Sequence, residues 1–217
     1  MTATLTIEKA PVVDEATGVK TFEKEIDQTA AENGVDVTEL FKNANEDSDE
    51  NTVVKATFEN GDVIFDKAAI EAIASAENAT FTIAVTVVDE NSVENENFAG
   101  AEMIIEVSLG GVTFEEGKAT ISVDFDKEIP EGKIGKVYYV DDNGVKTDMN
   151  ATFSNGKATF TTNHFSTYVV IFEDLPETSG GLSAGAIVGI ALGCAVFAGM
   201  VAVAVIFFLK KKKEKQN

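Results

Sequence analysis

No arginine occurs in this 217-residue chain; all 17 of its basic side chains are lysine. It holds one cysteine, Cys194, and one histidine, His164. Cys194 lies inside a long apolar run, so the acidic part of the chain before it has no thiol for a disulfide or a cysteine-based zinc site. A single histidine also removes most nucleophile–base pairs and every histidine-rich metal site. The expectation is a protein that is not an enzyme and needs no cofactor and no metal.

Positive charge is scarce where negative charge is abundant. Of 37 Asp and Glu residues only Glu214 lies beyond residue 181, so the first 181 residues carry 36 acids against 12 Lys, a net of −24. The last eight residues carry five Lys and one Glu, or +4, and the two regions sum to −20. A domain this acidic repels nucleic acid and anionic membrane surfaces, which excludes DNA or RNA as a partner. The same charge keeps an exposed protein soluble.

Leu182–Leu209 is an uncharged run of 28 residues. As a helix it would be about 42 Å long, against a hydrocarbon core of about 30 Å. A transmembrane helix is expected over 182–209, with Ile187–Leu209 spanning and the Gly/Ser-rich first turn in the interface. Lys210, Lys211, Lys212 and Lys213 follow it, and F-E-D-L-P-E-T precedes it. The positive-inside rule therefore puts the 210–217 tail in the cytoplasm and the acidic domain outside, at the plasma membrane or cell surface. Gly181, Gly185, Gly189 and Gly193 recur every four residues and share one helix face. That spacing lets two membrane helices approach closely as a homodimer, and it also occurs in single spans that stay monomeric.

The amino terminus does not match this topology: M-T-A-T-L-T-I-E-K has neither a basic n-region nor an apolar h-region. Two readings stay open. Either a signal peptide once preceded Met1, or the protein is tail-anchored with its domain in the cytosol as an adaptor. The second requires four adjacent lysines to cross the membrane.

Between residues 51 and 174 strand signals dominate. T-V-V-K-A-T-F passes through the turn E-N-G-D into V-I-F, and T-F-T-I-A-V-T-V-V, A-E-M-I-I-E-V-S-L and A-T-I-S-V-D-F follow. K-V-Y-Y-V, A-T-F, A-T-F-T-T and S-T-Y-V-V-I-F complete the set, joined at D-D-N-G and S-N-G-K. One short helix is expected at D-K-A-A-I-E-A-I-A-S-A, where Asp66 can cap and Ile70 and Ile73 share a face. The fold class is mainly β, a β-sandwich-like module with one short helix and one C-terminal membrane helix.

Residues 1–50 read as a strand and irregular segment, a candidate remnant of a preceding module, with one helical turn in V-D-V-T-E-L-F-K-N-A. The charged N-A-N-E-D-S-D-E-N marks the internal boundary. Its acids lack the spaced ligands and Gly of a calcium loop, so a solvated loop is expected.

Two long stretches carry a resemblance. N-G-D-V-I-F-D-K-A-A-I-E-A-I-A and K-V-Y-Y-V-D-D-N-G-V-K-T-D-M-N-A-T-F-S-N-G-K-A-T-F-T-T-N-H-F-S-T-Y-V-V resemble modules of bacterial cell-surface and cell-wall-anchored proteins, over roughly residues 52–172. The resemblance implies an extracellular structural stalk or adhesion module, with no catalytic residues to carry over. The span also resembles the short-tailed single-pass anchors of surface proteins in some parasitic protists. Binding to an extracellular protein or glycan would use loops and sheet edges that the sequence does not single out, and membrane lipid is the other expected partner.

Two motifs have chemical readings. Leu175, Pro176, Glu177 and Thr178 match a cell-wall sorting signal L-P-x-T-G, but Ser179 stands where Gly is expected. The alternative is a linker over 175–181 that Pro stiffens and Gly loosens. His164-Phe165-Ser166, with Tyr168 two places on, resembles autoproteolytic β-sandwich sites, which implies Ser166 as nucleophile, His164 as base and a cut at Phe165–Ser166. The plain reading is a final strand in which Phe165, Thr167 and Val169 share one face.

Overall fold

The computed structural model describes residues 3–4, 10–88, 96–112 and 116–176. Met1–Asp174 form one compact unit, and Leu175–Asn217 a second of which only Leu175 and Pro176 are described. The apolar run, Gly181, Gly185, Gly189 and Gly193, Glu177, Thr178 and Lys210 to Lys213 lie outside the described residues. Among the described residues no helix is long and apolar enough to cross a membrane.

Period-2 patterning builds the first unit. In β5 (Thr52–Phe58) the residues Thr52, Val54, Ala56 and Phe58 are buried, and between them Val53, Lys55 and Thr57 are half-buried. An Asn60–Gly61 turn sends the chain back as β6 (Gly61–Phe65), which repeats the pattern with Val63 and Phe65 inside. β9 (Ala119–Asp124) and β13 (Lys157–Thr162) alternate likewise. With β12 (Thr152–Ser154), β3 (Lys20–Glu25) and β2 (Val12–Val13) they form a seven-stranded sheet ordered β12-β13-β9-β6-β5-β3-β2. A second seven-stranded sheet is ordered β1-β4-β7-β8-β14-β10-β11. Its strands are β1 (Ala3–Thr4), β4 (Val35–Asp36), β7 (Thr80–Val87), β8 (Ala101–Gly110), β14 (Thr167–Asp174), β10 (Lys133–Val140) and β11 (Lys146–Asp148).

Among the described residues three α-helices stand where the sequence suggested one short helix and a helical turn. The expected one is α3 (Lys67–Ala74): Asp66 accepts the Ala69 N–H at 2.9 Å, and Ile70 and Ile73 are fully buried. The two others, α1 (Gln28–Asn33) and α2 (Thr38–Glu46), come from the stretch that read as irregular. Asp27 caps α1 by accepting the Ala30 N–H at 3.1 Å. The single helical turn expected near residue 40 is a nine-residue helix because Thr38, Leu40, Phe41 and Ala44 form one buried stripe.

One hydrophobic cluster joins both sheets and the helices. Phe22, Leu40 and Phe41 from the first fifty residues lie in it with Phe65, Ile70, Phe81, Ile105 and Val170. The charged loop at 47–51 thus connects two stretches that share a core. The parallel pair β3 and β5 is bridged by α1, β4 and α2, a path that visits the other sheet before returning. Four phenylalanines contact one another edge to face at the centre: Phe65 lies 5.0 Å from Phe41 and 6.0 Å from both Phe81 and Phe165, ring centre to ring centre.

Alternation along β14 sends Tyr168 and Val170 into this core and Val169 into a smaller cluster with Val88, Ala101 and Val140. Phe165 does not share a face with Val169, as a continuous strand would require. The strand begins only at Thr167, and Phe165 packs against the main core from the corner before it.

Candidate functional site

The H-F-S segment forms a hydrogen-bonded corner at the entrance to β14. Thr162 and Tyr168 are both buried, and their hydroxyls converge on the carbonyl of His164. The Tyr168 hydroxyl donates to His164 O at 2.5 Å and the Thr162 hydroxyl donates to the same oxygen at 2.6 Å. The two hydroxyl oxygens lie 2.9 Å apart, and the His164 N–H donates to Thr162 Oγ1 at 3.2 Å. A tyrosine tied to a carbonyl four residues upstream is a known corner device of two-sheet folds.

The chemistry of self-cleavage needs the His164 ring at the Ser166 hydroxyl. Instead, Nδ1 of His164 lies 3.4 Å from Thr162 Oγ1 and 3.3 Å from Asn163 Oδ1, and the ring stacks edge-on against Tyr139 at 4.6 Å. Ser166 contributes its carbonyl oxygen to the sheet, accepting the Val107 N–H at 2.9 Å. Among the described non-glycine residues positive φ occurs at Asn150 and Asn155, so neither Phe165 nor Ser166 carries left-handed strain.

Burial pushes the Tyr168 hydroxyl up to about 12, against a smaller downward pull from Thr162. The unfolded chain would ionise this group near its ordinary value of about 10, so the native state loses stability as pH rises from about 10 to about 12, at about 1.4 kcal/mol per unit. Below that window the contribution is constant. Tyr138, also raised to about 12 by its hydrogen bond to Glu173, titrates in the same range. Denaturant titrations at about pH 9 and about pH 11.5 should therefore show a smaller loss for Tyr168→Phe than for the native chain, by about 2 kcal/mol.

Two acids of the charged loop, Asp47 and Asp49, have partners. Asp47 pairs with Lys20 at 2.5 Å. The Asp49 carboxylate accepts the Asn51 N–H at 2.9 Å and the Thr52 hydroxyl at 3.0 Å, and these bonds hold it below the usual carboxylate range. Among the described residues no group of three or more His, Cys, Asp or Glu side chains converges as a metal site.

A cleft of about 190 Å³ opens at the end of the unit where the chain leaves β14. Its lining comes from two places: the β12–β13 hairpin, with Phe153 through Lys157, and the β9–β10 connection, with Phe125, Lys127 and Ile129. The hairpin turn forms because Asn155 and Gly156 adopt φ of 52° and 70°. Phe125 and Phe153 meet edge to face at 5.6 Å, and Phe153 reaches across to β10, where Gly135 leaves room for it: a Cβ there would lie 2.9 Å from the ring. Lys157 Nζ pairs with Asp124 at 2.5 Å, and Lys127 Nζ pairs with Glu102 at 2.8 Å while donating to Val88 O at 2.9 Å. The sequence alone does not reveal this cleft. Its one local signal was S-N-G-K, read only as a turn.

Leu175 is 36% exposed and Pro176 is exposed, so this part of the sorting-like motif is accessible. No family model, no curated protein and no solved structure matches the chain.

Proposed function

We propose that the chain is a single-pass cell-surface protein whose β-sandwich-like ectodomain serves as a structural stalk or adhesion module. One observation carries the reading: the compact β unit ends at Asp174, and within eight residues the sequence enters an uncharged run of 28 residues closed by four lysines. The run has the length of a membrane span and the lysines set its direction. The resemblance over residues 52–172 to modules of bacterial surface proteins, and the excess of acid that favours solubility, support the same assignment. In this reading the protein is not an enzyme.

A second reading is favoured by the exposure of Leu175 and Pro176: a transpeptidase cuts after Thr178 and transfers the ectodomain to wall material. Peptide mass mapping of native protein from its own membranes and walls separates the two. An intact chain ending in the lysine tail and released by detergent supports the permanent anchor. A C-terminus at Thr178 linked to wall material replaces it with sorting. The same map tests self-cleavage, for which the corner geometry predicts no fragment beginning at Ser166. A domain that stays accessible to protease added outside intact, sealed organelles would instead mark a tail-anchored adaptor.

A further inference from the structure

The cleft at the exit end lacks a role in the reading above, and its chemistry is specific. It combines apolar side chains, Phe125 with Phe153 and the 36% exposed Ile129, with two lining lysines, Lys157 and Lys127, each paired with a carboxylate next to the lining, Asp124 and Glu102. Both pairs are partly open to solvent: the Lys157 and Asp124 side chains are 40% and 42% exposed. A ligand of one charge would meet a like charge next to each attractive one. A zwitterion carrying a phosphate and an ammonium meets a complement for both, and aromatic faces favour the ammonium further.

The location decides the source of such a ligand. Asp174, the last residue of β14, pairs with Lys133, and Phe172 pairs with Gly135, the residue beneath Phe153. The chain therefore leaves the unit beside the cleft. Seven residues, 175 to 181, separate Asp174 from Leu182. Fully extended they reach at most about 25 Å. If residues 182–209 span a bilayer, its headgroups are within reach of this end. Ile134, 38% exposed, adds apolar surface there, whereas the exposed Val12, Val13 and Val145 belong to the opposite strand ends.

We propose that this cleft binds the zwitterionic phospholipid headgroups of the bilayer in which the protein is anchored, with Lys127 and Lys157 taking the phosphate and Asp124, Glu102 and the phenyl rings taking the ammonium. The inference rests on the reading of residues 182–209 as a membrane span. Surrounding carboxylates, among them Asp126, Glu128 and Glu131, disfavour a membrane rich in anionic lipid.

The chain has no tryptophan, so an introduced one reports its own surroundings. Full-length Ile129→Trp and Val145→Trp proteins are reconstituted in phosphatidylcholine nanodiscs containing a headgroup-spin-labelled lipid. Quenching at position 129 and none at 145 is the expected result. Replacing the phosphatidylcholine with phosphatidylglycerol, or adding Lys127→Gln with Lys157→Gln, should abolish it, while soluble phosphocholine should compete. Equal quenching at the two positions, or quenching at 129 that survives loss of both lysines, overturns the proposal. Stable insertion without quenching at 129 sinks this inference alone. Release of the chain by carbonate, without insertion, sinks the membrane-anchor reading itself.

Discussion

Phe65→Ala is expected to lower the unfolding free energy by about 3–5 kcal/mol. Phe65 is 1% exposed and contacts three other aromatic rings, from α2, from β7 and from the corner before β14. Removing the ring deletes burial worth about 1.5–3 kcal/mol and leaves a cavity that elements of both sheets would have to close together. Each edge-to-face pair adds about 0.5–1.5 kcal/mol beyond area, so the upper half of the range is expected here. Against a typical domain stability of about 5–15 kcal/mol this removes a large share, and the melting temperature should fall by roughly 10 °C or more. Phe98→Ala, which trims only the smaller cluster on the far side of the second sheet, should cost visibly less. Equal shifts for the two variants in differential scanning calorimetry would show that the four-ring contact is not the centre of the fold.

Gly61→Ala is the second large effect. Gly61 opens β6 with φ of 150°, a region that side chains rarely enter, and an added Cβ would lie 2.0 Å from the carbonyl oxygen of Ser122. The conformation alone costs on the order of 1–3 kcal/mol. The clash is with backbone, in a position where Gly61 pairs with Val123 and with Phe58, so relief requires β6 to part from β9 or from β5. Hydrogen exchange should then be faster at the Asp62 and Val123 amides than in the native chain, together with a lower denaturation midpoint. A stability unchanged from the native protein would contradict the tight β6–β9 approach.

The middle of the chain was legible because its residues repeat a simple pattern. T-V-V-K-A-T-F and A-T-I-S-V-D alternate apolar and polar side chains, and the Asn–Gly turns break them cleanly. α3 announced itself through Asp66 and two isoleucines on one face. β3, K-T-F-E-K-E, buries a single side chain, Phe22, and its strand character comes from pairing with β5 rather than from its own composition. α1 is six residues long and buries only Ala31, too little for a periodic signal. β11 exists because Lys146–Asp148 lie against β10, with an ion pair from Lys136 to Asp148 at 2.6 Å. At the corner, the sequence shows Tyr168 only as an aromatic near a possible nucleophile, and its tie to the His164 carbonyl depends on where the chain bends. The cleft draws on residues from 125 to 157 that only the two connections bring together.

The place of β14 in its sheet has a mechanical consequence. The last strand of the unit is an interior one, paired over seven residues with β10 on one side and five with β8 on the other. Tension entering at Asp174 along the strand loads both ladders in shear, so their hydrogen bonds resist together rather than parting one after another as they would at a peeled edge. In the proposed stalk reading, pull arriving at Asp174 would meet the unit at the middle of a sheet rather than at its edge.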